Sequence, residues 1–259
     1  MMASLKGLKV KLFADGADLS VIAKMAANPL IKGFTTNPTL MRKAGVSNYR
    51  LFALDVLKVV TDRPVSFEVF SDDFDEMELQ AREIASWGKN VFVKIPVTNT
   101  LGESAAPLIR RLSAAGVQIN VTALITAEQV AEVIDCLSDK ISNFVSVFAG
   151  RIADTGRDPM PIMRQVVELL RPYPKTELIW ASPRELLNIF HAESVGCHVI
   201  TATNDILTKL DLVGKDLNDF SLDTVHMFWQ DAQKAGYTID ISQPAVAAEV
   251  AAVRPRPVQ

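Results

Sequence analysis

Short apolar runs recur along the chain at about 25–30-residue intervals, a spacing that suits strand–helix units. They are Val10 to Ala14, Gly33 to Thr36, Val65 to Phe70, Val91 to Pro96, Gln118 to Leu124, Asn143 to Phe148, Glu177 to Ala181 and His198 to Thr203. Stretches with helical periodicity lie between them, such as Phe74 to Trp87, Ala127 to Leu137 and Pro159 to Leu170. Strand-like runs alternating with helix-like runs predict a parallel sheet, and eight such units are the number that closes a (β/α)8 TIM barrel. The competing architecture is an open doubly wound sheet, which usually carries a Gly-rich phosphate loop after its first strand. Here the first strand runs into Ala14-Asp15-Gly16-Ala17-Asp18-Leu19, with a single glycine, so the barrel is favoured.

Helix-start signals agree. Asp18, Ser104, Thr126 and Asp205 each stand where they can cap a helix that follows a strand. A further amphipathic segment, Asp223 to Ala235, follows the eighth unit and ends at Gly236, a C-terminal cap signal. It is surplus to the barrel and clusters Val225, Phe228 and Trp229, so it is expected to make subunit contacts or to brace its own barrel. Residues 1–240 read as one domain. Residues 241–259, rich in Ala, Val and Pro from Pro244 on, read as a mobile tail.

Composition narrows the function. The 259 residues carry 27 Lys and Arg against 30 Asp and Glu, a formal net charge of −3. A general polyanion binder would be basic, so nucleic acid is disfavoured as a partner, although a local pocket for one phosphate is not. Two cysteines, Cys136 and Cys197, make neither a disulfide framework nor a zinc knuckle. No secretory signal core and no membrane-length apolar run is found, so a cytoplasmic protein is expected.

Alternate residues of a barrel strand point inward, and those at the C-terminal ends reach the active-site face. In Val91-Phe92-Val93-Lys94-Ile95-Pro96, Lys94 is in phase with Phe92 and Pro96 among apolar residues. Lysine is rarely buried without a partner or a task. Glu68 is in phase with Ser66 and Phe70; Asn120 and Thr122 share a face; Ser146 is in phase with Phe148; strand one ends at Asp15 and strand two in Thr35-Thr36-Asn37-Pro38. Singly these are weak signals, since a lone Asp at a strand end is often a helix cap. Six strands in succession placing a polar residue near the same end is a constellation. The histidines, His191, His198 and His226, fall elsewhere, and Asp15 and Glu68 are too few ligands for a well-held metal. What remains is amine chemistry, in which a lysine attacks a carbonyl and carboxylates move the protons.

Gly33-Phe34-Thr35-Thr36-Asn37-Pro38-Thr39-Leu40 and Val91-Phe92-Val93-Lys94-Ile95-Pro96-Val97-Thr98 resemble the two signature segments of the transaldolase family. Gln118 to Thr122, Ser146 to Ile152 and Ala181 to Arg184 resemble further family segments in the same order, and the likeness runs from about Leu12 to Ile239. The resemblance implies a class I aldolase-type barrel with Lys94 as the Schiff-base lysine and Asp15 as general acid/base. Glu68 with Thr122 would hold the water that enters and leaves. Asn37, Asn120 and Ser146 would hydrogen-bond a dihydroxyacetone unit, with Thr35 and Phe148 beside it. Arg151, Ser182 and Arg184 would bind the sugar phosphate. Taken alone, Arg151 also reads as an exposed turn charge, Arg184 as a first-turn helix residue, and Ser182 before Pro183 as a helix cap.

The related fructose-6-phosphate aldolases carry Gln and Tyr where this chain has Glu68 and Phe148, so the chain looks more like a transferase. A ketose-phosphate aldolase and a non-catalytic sugar-phosphate-binding protein are the alternative readings. The resemblance implies sugar-phosphate substrates, no metal or organic cofactor, no membrane partner and a homo-oligomer, since compact family members form rings.

Overall fold

The computed structural model describes residues 5–241. Eight parallel strands close into a barrel in sequence order: β1 (Lys11–Asp15), β2 (Ile31–Thr35), β3 (Val65–Glu68), β4 (Val91–Pro96), β5 (Ile119–Leu124), β6 (Asn143–Val147), β7 (Thr176–Trp180) and β8 (Val199–Thr203). The chain leaves β1 through α1 (Leu19–Ala26) and β2 through α2 (Pro38–Lys43) and α3 (Tyr49–Val59). Helices α4 (Phe74–Ser86), α5 (Ala106–Ala114) and α6 (Ala127–Ile134) follow β3, β4 and β5. Helices α7 (Ala149–Asp154) and α8 (Met160–Leu170) follow β6, α9 (Leu187–Val195) follows β7, and α10 (Asn204–Leu207) follows β8. The eight-unit (β/α)8 expectation is met, and the open-sheet alternative is excluded because β1 pairs with both β2 and β8.

The caps explain several boundaries. Asp18 accepts from the amides of Ser20 and Val21, and Thr126 forms a reciprocal capping box with Gln129. Two expected caps shift. Ser104 lies one residue before the cap position and accepts from the Ala106 amide, while Asp205 sits inside the first turn of α10, whose cap is Thr203.

Two apolar layers follow from the alternation. Residues facing outward from the strands pack against the helices, as do Val93, Ile95, Val121 and Leu178. Inside the lumen Phe13, Phe92, Phe144, Ile179 and Val199 form a separate plug. Phe144 meets Phe13 edge-on at 5.6 Å and Phe92 at 4.5 Å, arrangements that aromatic rings favour. Gly33 makes room for this plug, because a Cβ there would come within 2.4 Å of the Phe13 ring.

The chain divides into two compact units, one to Val213 and one from Gly214. The second holds α11 (Leu217–Ala235), capped by Asp216 and closed by Gly236 at φ +67°. The helix starts six residues before the sequence pattern suggested, because Asp216 caps it with two amide contacts. Within this unit no side chain of α11 is buried. The expected tail lies outside the described residues except for Ile241.

Candidate active site

The polar residues selected by strand phase converge at the C-terminal end of the lumen, directly above the aromatic plug. They line a cavity of about 600 Å³. Register brings them level: Glu68 pairs with Lys94, Lys94 with Asn120, Pro96 with Thr122, and Asp15 with Thr35.

Lys94 is 6% exposed. Its Nζ donates to Oε2 of Glu68 at 2.8 Å and to the carbonyl of Thr36 at 2.9 Å. That carbonyl is free for it because β2 has just ended and the chain is turning into α2 at Pro38. Asp15 Oδ1 accepts from the Thr35 hydroxyl at 2.8 Å, and the Asn37 side-chain amide approaches Oδ2 at 3.5 Å. A hydroxyl has one proton. Thr35 gives its proton to Asp15, so it accepts in turn from Thr201 at 2.6 Å. Burial pushes the Asp15 carboxyl above its ordinary value, against the opposing pull of Lys94 and the Thr35 hydrogen bond.

Across the lumen, Ser146 donates to Asn120 Oδ1 at 2.7 Å, and Asn120 Nδ2 donates to Ser66 at 3.0 Å. Asn120 is fully buried and supports the wall rather than lining the cavity. Among the described residues, the buried Thr122 hydroxyl has no hydrogen-bond partner. It stands beside Ala123, which adopts φ +61° where the β5–β6 register shifts. This bulge brings Ala123 to the cavity wall and re-aims the strand end.

Past β6 and β7 the site turns cationic. Arg184 donates from Nε to Asp154 Oδ1 at 2.8 Å, from Nη2 to Asp154 Oδ2, and from Nη1 to Ser182 at 3.0 Å. Asp154, in return, is held below the ordinary carboxylate range by that hydrogen bond. The Arg151 guanidinium lies over the Phe148 ring at 5.9 Å. Ser182 is not a helix cap, and Arg184 is not in a first turn, since α9 begins only at Leu187. Ser182 instead takes φ +60°, a left-handed conformation that costs a non-glycine residue about 1–3 kcal/mol.

Every expected site residue except Asn120 lines this one cavity, and Asn120 contacts one that does. Lys43, Thr39, Leu40 and Thr201 also line it and were not selected from the sequence. Thr201 shares the inward phase of β8 and could have been found by the same alternation. Lys43 lies on a helix, where strand phase says nothing. The three histidines contribute nothing to this cavity. His198 precedes β8, where it accepts from the Leu178 amide at 3.0 Å.

The barrel thus gathers a buried lysine paired with Glu68, a second buried carboxylate at Asp15 and two rim guanidiniums around one cavity, the arrangement of an enzyme-type site. A family profile described as Transaldolase/Fructose-6-phosphate aldolase matches residues 12–253, and the chain belongs to that family. Relatives named probable transaldolase agree. The one from Dehalococcoides mccartyi is 32% identical over 226 residues, covering 87% of this chain and all of the relative. One from a Thermoanaerobacter species is 33% identical over 234 residues, covering 89% of this chain and all of the relative. Among solved structures, KGPDC from Streptococcus mutans is 11% identical, with a TM-score of 0.53 over 76% of this chain and 89% of that one. A putative lyase/mutase from Burkholderia cenocepacia, 13% identical, reaches 0.51 over 90% of this chain and 86% of that one. At such identities these two support the barrel fold alone. The chain is thus a transaldolase-type enzyme.

Proposed function

We propose that the protein is a transaldolase. It moves a dihydroxyacetone unit from a ketose phosphate, such as fructose 6-phosphate or sedoheptulose 7-phosphate, to an aldose acceptor through a Schiff base on Lys94. The observation that carries this reading is the buried Lys94 amine, hydrogen-bonded to Glu68 and within the electrostatic reach of Asp15.

In this reading Lys94 Nζ attacks the ketone carbon C2. Water leaves, and a protonated imine forms. Asp15 takes the proton of the C4 hydroxyl. The C3–C4 bond breaks, its electron pair moves into the imine, and an aldose phosphate departs, leaving the enamine of dihydroxyacetone. The enamine C3 attacks an incoming aldehyde, Asp15 returns its proton to the new hydroxyl, and water hydrolyses the imine. Glu68 and the unpartnered Thr122 hydroxyl hold that water and shuttle its protons. Asn37 and Ser146 hydrogen-bond the three-carbon unit, with Asn120 behind the wall holding the Ser146 hydroxyl in place and Thr35 and Phe148 flanking the unit. Arg151, Ser182 and Arg184 bind the phosphate, for which guanidinium forks are suited. The proposed cycle draws on no metal or organic cofactor. The protein acts on sugar phosphates in the cytoplasm as a homo-oligomer.

Borohydride added with fructose 6-phosphate should fix a dihydroxyacetone adduct on Lys94, located by peptide mass spectrometry. Lys94→Met, similar in length and cheaper to bury, should fold and lose the adduct. An adduct on another lysine would sink the mechanism. A panel of aldehyde acceptors separates transfer from simple cleavage: an aldolase would release dihydroxyacetone at the same rate without an acceptor.

A further inference from the structure

Tyr49 opens α3, and its side chain is not part of the cavity wall. Its hydroxyl reaches the site through the backbone. It donates to the carbonyl of Glu68 at 3.0 Å and accepts from the amide of the same residue at 2.7 Å. One proton and two lone pairs allow both bonds at once.

The register explains why a side chain does this. β2 and β3 pair only at Phe34–Val65 and Thr35–Ser66, and Thr36 adds two bonds to the Ser66 carbonyl, from its amide at 3.2 Å and its hydroxyl at 3.0 Å. β2 then turns away into α2. Successive residues of a strand direct their backbone groups to opposite neighbours. Val69 donates to the Lys94 carbonyl on the β4 side at 3.1 Å, so the amide and carbonyl of Glu68 face the edge that β2 has vacated. Left bare in a half-buried position, they would carry a desolvation cost. The Tyr49 hydroxyl supplies the donor and the acceptor that the missing strand would have supplied. The ring is itself fixed, edge-on to Phe67 at 6.1 Å and to Trp87 at 5.4 Å, and against Phe70 at 4.6 Å. Burial raises the phenol well above its ordinary value, so it keeps its proton.

We propose that Tyr49 is a positioning residue for the Glu68–Lys94 pair, its hydroxyl standing in for a β2 that ends one residue too early to hold the Glu68 backbone. The inference deepens the Schiff-base reading and rests on it. Tyr49 touches no substrate. It fixes the main chain from which the Glu68 carboxylate reaches Nζ at 2.8 Å.

The test is a double-mutant cycle of Tyr49→Phe and Glu68→Gln in the full chain, with two readouts. The first is turnover of fructose 6-phosphate with an aldose acceptor. Tyr49→Phe should lower kcat about tenfold and leave KM within about twofold, because placement of a reacting group is lost rather than binding. In the Glu68→Gln background the same change should cost less than about twofold, since the carboxylate it positions is gone. The second readout needs no sugar turnover: reductive methylation of Lys94 by formaldehyde and cyanoborohydride, followed by peptide mass spectrometry. Its rate should rise at least about threefold on Tyr49→Phe with Glu68 present, and not in the Glu68→Gln background.

Equal fold-changes in both backgrounds would overturn the proposal by marking Tyr49 as merely structural, and no change in either would overturn it outright. A wild-type protein that turns over no ketose phosphate would sink the transaldolase reading, while the methylation cycle would still decide the role of Tyr49. Should Tyr49→Phe not fold, amide hydrogen exchange of the wild type decides. The Glu68 amide should be protected as strongly as that of Val69, and exchange at the rate of an open loop would refute the clamp.

Discussion

At the residue scale the site is a set of opposed requirements on Asp15. In the proposed cycle it must be ionised to take the C4 proton, yet burial favours the protonated form. A carboxyl with a raised value binds its proton more tightly in the folded state than in the unfolded chain. Between the ordinary aspartate value near 4 and the raised value, the native state therefore holds more protons, and stability falls as pH rises through that window. Asp15→Asn should remove that slope and unfold at a higher temperature than the wild type at neutral pH, while losing at least about 10²-fold in transfer rate. The acid limb of the wild-type rate should correspondingly lie above the usual carboxylate range. Melting curves from pH 4 to 8 and a pH–rate profile test this, and a less stable Asp15→Asn at pH 7 would refute it. Residues of this kind were legible because strand alternation marks them: Lys94, Glu68, Asn120, Thr122 and Ser146 each break an apolar run in the inward phase. Tyr49 and the Thr36 carbonyl were not, because their contributions depend on where β2 stops and on backbone groups that carry no sequence signal.

At the element scale, what governs the rim is how closely α7 approaches the loop after β7. Gly150, in the first turn of α7, lies so near that a Cβ would stand 1.6 Å from the Ser182 carbonyl oxygen. This obstacle is main chain, so it cannot swing aside as a side-chain tip would. Ser182 at φ +60° and Arg184, hydrogen-bonded to both Ser182 and Asp154, are fixed by the same junction. Gly150→Ala must push the loop outward, at a cost of about 1–3 kcal/mol of stability for an overpacked site. Its catalytic effect should be selective. Steady-state kinetics should show kcat/KM falling at least about tenfold more for a phosphorylated ketose than for its unphosphorylated counterpart, since the displaced groups are those assigned to the phosphate. Equal losses on both would detach this loop from phosphate binding. Taken alone, Ser182 before Pro183 also reads as a helix cap, because Ser-Pro is a common helix start. The approach of α7 is a contact between distant elements, and no local pattern records it.

At the scale of the whole molecule, barrel closure was legible from a count, since eight alternating units leave few other ways to bury two faces of a parallel sheet. The aromatic plug was less so: Phe13, Phe92 and Phe144 read as ordinary core until their strands are brought around one axis. The C-terminal unit raises the question of assembly. Helix α11 carries Leu222, Val225 and Trp229 at helical spacing along one face, each more than half exposed, with Phe228 alongside. A stripe of that kind is costly in water and is typical of association surfaces. The proposed homo-oligomer predicts that the intact chain scatters light as a multimer at micromolar concentration. Leu222→Asp combined with Trp229→Glu, made in the full chain, should shift the mass toward that of one subunit. The compact unit that ends at Val213 holds the whole cavity, so the variant should keep the circular dichroism of a folded barrel and the borohydride adduct on Lys94. A monomeric wild type would refute the assembly. A variant that stays multimeric would move the interface off this face of α11.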